Sequence, residues 1–282
     1  MANANFRITV FTDPTCPYAY SAEPARLRLR WLYGDQITWD TKMIVLSGFE
    51  GEVPTHTHEG LSDSRRWMRE KYQMPMSDKP IARVPESILA CRAYLATKIF
   101  DTDKSELLLR NLRISAMNNE LVDELDTIDR AATKTGVDID NLRKWIDLSE
   151  TNSCLEENAK EARRPSKTAL NMGHKLSKTS LGIVRYPASS CIFTVGNEVV
   201  AELPGFWPVE AYEAIIGNFF LGIKRKKNPK TIESILSWAN MPLATKEIST
   251  IYDRGYQEVR DELGKSKMKF TPFGQDGFWA LD

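Results

Sequence analysis

Strand-type patterning in the first 221 residues of this chain is confined to two places, and a long helical stretch separates them. Residues 6–11 (FRITVF) are β-branched and aromatic, the composition of a short buried strand. In residues 36–45 (QITWDTKMIV), Ile37, Trp39, Met43 and Val45 alternate with more polar neighbours, which predicts a second, partly covered strand. The signal returns only at residues 191–195 (CIFTV), where a Gly196-Asn197 turn and residues 198–203 complete a hairpin. Between these ends, roughly 85–162 shows helical periodicity throughout. Ile88, Cys91, Leu95 and Ile99 share one face, and Leu121, Leu125, Ile128 and Ala132 share another. A helix after the hairpin (PVEAYEAIIGNFF) closes the series. Strand, helix, strand, helical insert, hairpin, helix is an α/β layout with a helical domain inserted at about 60–181. Residues 163–181, basic and without period, read as a loop.

The junction of the first strand with the first helix carries the sharpest motif, Asp13-Pro14-Thr15-Cys16-Pro17-Tyr18-Ala19-Tyr20. Asp13-Pro14 breaks the strand, and Pro17 suits the first turn of a helix, where its missing N–H costs nothing. Pro24 lies further along the same helix and predicts a kink. A cysteine at a helix N-terminus meets unpaired N–H groups, which can lower a thiol from about 8.5 into the range of roughly 3.5–7.5. The competing reading is a small buried residue filling space, since free cysteines are commonly buried. The sequence therefore predicts that Cys16 is the most acidic and first-modified of the four cysteines. The other three, Cys91, Cys154 and Cys191, form no C-x-x-C pair with it or with one another, which argues against a zinc knuckle and a disulfide scaffold.

Lys plus Arg and Asp plus Glu both total 38, so no basic excess exists to draw nucleic acid or an anionic membrane. No apolar run reaches the length of a membrane helix, and the N-terminus enters a strand without a targeting pattern. A cytoplasmic protein with reduced thiols is expected.

Arg185-Tyr186-Pro187 precedes the strand at 191–195. Together with DPTCPYAYSAEP, the helical insert and the hairpin–helix ending, it makes residues 6–221 resemble the DsbA-like superfamily of the thioredoxin fold. That superfamily includes dithiol oxidoreductases, cytoplasmic isomerases and kappa-class glutathione transferases. The resemblance implies that Cys16 is the nucleophile, that Pro187 is a cis-proline facing it, and that glutathione or another low-molecular-weight thiol serves as cosubstrate, with no bound cofactor. It also exposes a departure: the second cysteine of the redox motif is Ala19 here. A dithiol resolves its own mixed disulfide, and Cys16 alone cannot.

Weaker candidates read as structural. His56 and His58 form an H-x-H with no third ligand nearby, so no metal is expected. Arg65-Arg66-Trp67 could hold a carboxylate but reads as a solvated helix face. Arg163, Arg164, Lys167, His174, Lys175 and Lys178 could lend positive potential to an anionic ligand, although charge runs are usually solvated.

Beyond a basic linker, Lys224-Arg225-Lys226-Lys227, three short helices and a closing hairpin outline a winged-helix-like domain at 228–282, next to a DsbA-like domain at 1–221. This tail resembles that of a cytoplasmic protease-adaptor branch. Residues from 222 on carry eleven Lys and Arg against eight Asp and Glu, but the would-be recognition helix holds Glu258, Asp261 and Glu262, which phosphates would repel. A protein-contact or packing role, not DNA binding, is expected there. Two functions stay open: a thiol-disulfide oxidoreductase or glutathione-dependent isomerase working through Cys16, and a non-catalytic adaptor that has lost dithiol turnover.

Overall fold

The computed structural model describes residues 5–281; residues 1–4 and 282, within the expected domain boundaries, lie outside the described residues. Strand β1 (Phe6–Thr12) leads into α1 (Pro17–Ser21) and α2 (Glu23–Tyr33), then β2 (Ile37–Met43). The insertion comprises α3 (His58–Tyr72), α4 (Ile88–Phe100), α5 (Thr102–Met117), α6 (Leu125–Thr135), α7 (Ile139–Ile146) and α8 (Ser149–Ala162). A short α9 (Lys167–Asn171) and a small ladder of β3 (Ser177–Lys178) with β4 (Val184–Arg185) follow. Then come β5 (Ser190–Val195), β6 (Glu198–Leu203) and α10 (Val209–Phe219). The remainder is α11 (Ile232–Ala239), β7 (Leu243–Ala244), α12 (Thr245–Tyr252), α13 (Tyr256–Gly264), β8 (Lys269–Phe273) and β9 (Asp276–Ala280).

The main sheet has the order β2-β1-β5-β6, with β1 parallel to β2 and antiparallel to β5. Its central strand is covered on both sides, which explains why FRITVF is nearly continuously apolar. One face packs Ile8, Val10 and Phe193 against Leu29 and Leu32 of α2 and Ile216 and Phe220 of α10. Beside β2, Met43 packs against Cys91, Tyr94 and Leu95 of α4 and Leu155 and Ala159 of α8. The predicted kink at Pro24 is a break at Ala22 between α1 and α2, with the proline in the first turn of α2. Residues 163–181 are not simply a loop. Ser166 caps α9 by accepting from Ala169 N (3.0 Å), and Thr179 N donates to Ile183 O (2.9 Å).

The C-terminal segment folds as three helices and a three-stranded sheet ordered β7-β9-β8. Its interior joins the main core: Ile232, Ile235, Ile248, Ile251 and Trp279 belong to the same buried cluster as Leu27 and Trp31 of α2. Polar anchors fix the seam. Arg110 of α5 grips Glu247 of α12 with both Nη atoms (2.6 and 2.7 Å) and gives Nη2 to Pro242 O (2.8 Å). Arg28 of α2 donates to Glu213 Oε1 (2.6 Å), Thr250 O (3.0 Å) and Asp253 Oδ2 (3.1 Å). At the tip of the β8–β9 hairpin, Gly274 (φ +56°) lies so close to the Met76 backbone that a Cβ would come within 1.9 Å of its carbonyl oxygen. Only glycine fits there.

Candidate functional site

Cys16 occupies the N-cap of α1, with extended backbone (φ −78°, ψ 115°) and Pro17 directly after it. Asp13 holds this corner in place. Its Oδ1 accepts from Thr15 N (2.8 Å) and Thr15 Oγ1 (2.7 Å), and its Oδ2 accepts from Leu46 N (2.9 Å), beyond β2. Cys91 Sγ also reaches Asp13 Oδ2, at 3.6 Å. The β1–α1 turn and the exit of β2 are thus tied to one fully buried carboxylate, and the sulfur's position follows from that tie.

Cys16 packs with Ala19, Phe11, Tyr186 and Ala188, so the loop around Pro187 does come to the cysteine across the sheet. The expected cis-proline does not. No peptide bond among the described residues is cis, and Tyr186–Pro187 is trans. The chain instead reverses in a tight turn after the proline. Pro187 O accepts from Ser190 N (3.2 Å) and Ser190 Oγ (2.7 Å), with Ser189 in the left-handed region (φ 68°). Trans is the lower-energy state of an X–Pro bond, and this turn supplies the reversal without the cis form.

The electrostatics also correct the expectation that the helix N-terminus lowers the Cys16 thiol. Burial, the largest influence, pushes the Cys16 thiol above its ordinary value. The backbone N–H groups of Ala19 and Tyr18 and the Arg185 guanidinium pull the other way, while Asp13 adds to the rise, and burial wins. Helix α1 is only five residues long, which limits the aligned dipole it can offer. Burial raises the other cysteines too, Cys91 well above the ordinary range and Cys191 to about 12. All four are free thiols. A raised pKa keeps the sulfur protonated at neutral pH, so reactivity must grow with pH. Alkylation of Cys16 by iodoacetamide, followed site by site with mass spectrometry, is expected to climb steadily from pH 7 past about pH 9. A rate already level by pH 7 would show a thiolate that the surroundings do not support.

Cys16 opens onto a cleft of about 250 Å³ between α1, α3 and the segments before α4 and β5. Two arginines line it. Arg65 is 4% exposed, not part of a solvated helix face: Leu61, Arg65 and Met68 form the inward stripe of α3, and this was the legible sign in the sequence. Arg185, next to the Tyr186-Pro187 pair that the sequence marks, is 6% exposed and lines the same cleft. Burial lowers the Arg65 pKa to about 10 and lowers that of Arg185, with the Cys16 sulfur drawing both upward. Tyr18, beside Cys16, extends the rim as an aromatic group with Tyr72 (6.2 Å), Phe206 (6.3 Å) and Trp67, which meets Tyr72 edge-on at 5.7 Å.

Several of the remaining candidates are tied into the fold. His56 reaches the cleft, but His58 pairs with Glu59 (2.7 Å), and no cluster of three or more metal-ligating side chains exists among the described residues. Arg163 bonds Glu52 and the carbonyls of Ile44 and Val45 (2.8 and 2.9 Å), and Lys175 sits over Trp207 (4.4 Å). No helix of the described residues is long and apolar enough to cross a membrane.

The architecture is that of solved DsbA-type proteins. The chain is similar to a candidate protein disulfide isomerase from Nitrosomonas europaea (TM-score 0.57, 12% identity, covering 77% of this chain and 98% of that one). It is similar also to a probable DsbA oxidoreductase from Streptomyces coelicolor (0.54, 11%, 82% and 95%). A third is the cytosolic disulfide reductase DsbM from Pseudomonas aeruginosa (0.54, 12%, 76% and 98%). At such identities the likeness is one of fold. No protein-family model matches the chain, and no curated protein matches it in sequence.

Proposed function

We propose that this DsbA-type fold serves a cytoplasmic thiol-disulfide oxidoreductase or isomerase that works through Cys16 alone, with a small external thiol in the resolving role. The observation that carries the reading is the placement of Cys16: it lies at the strand–helix corner, faced by two backbone N–H groups, and opens onto a cleft between two guanidinium groups. In the first step the Cys16 thiolate attacks one sulfur of a disulfide. The Cys16–substrate S–S bond forms as the old S–S bond breaks, and the displaced sulfur leaves as a thiolate that takes a proton from water. In the second step an external thiolate attacks the mixed disulfide and releases Cys16 as thiolate. The substrate sulfur departs bonded to the external thiol, and the protein returns unchanged. Because Ala19 offers no internal thiol, the second step depends on the external thiol's concentration.

A raised thiol pKa is compatible with this role. It lowers the thiolate fraction but makes each thiolate a stronger nucleophile, since nucleophilicity rises with basicity. A protein partner at the outward face of α13, where Arg254 pairs with both Glu258 and Glu262, belongs to the same proposal. Nucleic acid does not.

The test is turnover of hydroxyethyl disulfide with a monothiol reductant present. Cys16→Ser is expected to abolish it, whereas Cys154→Ser leaves it within twofold. Undiminished turnover by Cys16→Ser would leave the adaptor reading in its place.

A further inference from the structure

Among the buried side-chain polar atoms that line the cleft next to Cys16, those without a hydrogen-bond partner belong to two cations. Arg65 gives Nη1 to Asn119 Oδ1 (2.6 Å), and Asn119 in turn is held by Lys79 O (2.6 Å), so the guanidinium is fixed in orientation. Arg185 gives Nη1 to Tyr186 O (3.0 Å). The Nε atoms of both are buried with no hydrogen-bond partner, and neither side chain forms a salt bridge among the described residues. No Asp or Glu lines the cleft. An unpaired, desolvated guanidinium is costly, and two of them around one cavity call for an anion.

We propose that Arg65 and Arg185 form a carboxylate clamp, so that the molecules exchanged at Cys16 are small thiols or disulfides carrying a carboxylate. Naming the ligand a thiol rests on the reading of Cys16 above; the anion site stands on the cleft itself. The charge count supports one anionic group. With the Cys16 sulfur protonated, two guanidinium cations and the buried Asp13 behind the corner leave one uncompensated positive charge, which a single carboxylate cancels. Size restricts the ligand as well, since about 250 Å³ lies just below the usual range of small-molecule pockets and excludes a folded segment. Arginine suits the task because its planar fork matches a carboxylate.

The test uses full-length Cys16→Ser protein, in which no exchange can occur, and calorimetric titration at pH 7 with two disulfides of similar size. Dithiodipropionate carries carboxylates, and hydroxyethyl disulfide is neutral. The carboxylate compound is expected to bind at least tenfold more tightly, and Arg65→Gln is expected to remove that preference. Arg185→Gln should do the same if its fold, checked by circular dichroism, survives the loss of the Tyr186 contact; Arg65→Lys should keep part of it. Equal binding of the two disulfides, no binding of either, or a preference indifferent to Arg65 would overturn the clamp. These outcomes are separable from failure of the functional reading. Tight carboxylate binding beside a Cys16 inert to iodoacetamide would retain the anion site and remove the chemistry.

Discussion

Ala19→Cys is expected to turn this protein into a self-resolving dithiol enzyme, raising insulin reduction in the absence of added monothiol at least tenfold over the unmodified chain. Position 19 lies one helical turn beyond Cys16, so the two side chains share a face, and the Ala19 N–H already points at the Cys16 sulfur. Space exists for the new atom. Ala19 borders an internal cavity of about 30 Å³ next to Thr12, Glu23 and Cys191, roomy enough for one sulfur without displacing the core. With two thiols, the mixed disulfide is attacked from within, and release no longer waits on an external thiol. Robust insulin reduction by the unmodified protein would show that one of its other three cysteines already resolves the intermediate.

Glu247→Ala is expected to destabilise the chain by about 3–5 kcal/mol, the usual consequence of leaving a buried charge without its partner. Glu247 is fully buried and Arg110 is 5% exposed on its side chain; the carboxylate also accepts from Ala244 N (2.7 Å), capping α12. Removing it strands the Arg110 guanidinium and uncaps the helix that seats the tail on α2 and α5. At this chain length such a loss lowers the melting temperature on the order of 10 °C. The pair Arg110→Met with Glu247→Leu, which removes both charges, should recover much of the stability, because the penalty comes from the orphaned ion and not from the missing attraction. A double variant as unstable as Glu247→Ala would assign the loss to packing instead.

The strands were legible because central strands buried on both faces leave a dense apolar trace, as in FRITVF and CIFTV, and the long helices because their stripes repeat over several turns. Helix α9 and strands β3, β4 and β7 escaped notice for the opposite reason: two to five residues are too few to show any period. Cys16 was visible from the two prolines and the strand break that frame it, and the loop at Pro187 does pack beside it. The direction of its pKa shift is not legible in the sequence. Position along a helix can be read from sequence, but burial, which here outweighs the N–H groups, depends on Tyr186, Ala188 and Phe11 arriving from elsewhere. Arg65 was discounted for the same kind of reason, its place on the Leu61–Met68 stripe mattering less than the charges beside it. The Arg110–Glu247 tie joins residues 137 positions apart, and no local pattern announces it.

In the proposed reaction Cys16 alone carries the covalent step and cannot release itself. Intact mass spectrometry after brief exposure to hydroxyethyl disulfide, at a pH near 9 where the thiolate is populated, measures this directly. One adduct is expected, mapped to Cys16, persisting for hours after the disulfide is removed and disappearing on addition of a monothiol. Absence of any adduct on Cys16, or its spontaneous loss with formation of an internal disulfide, would overturn a single-cysteine reaction.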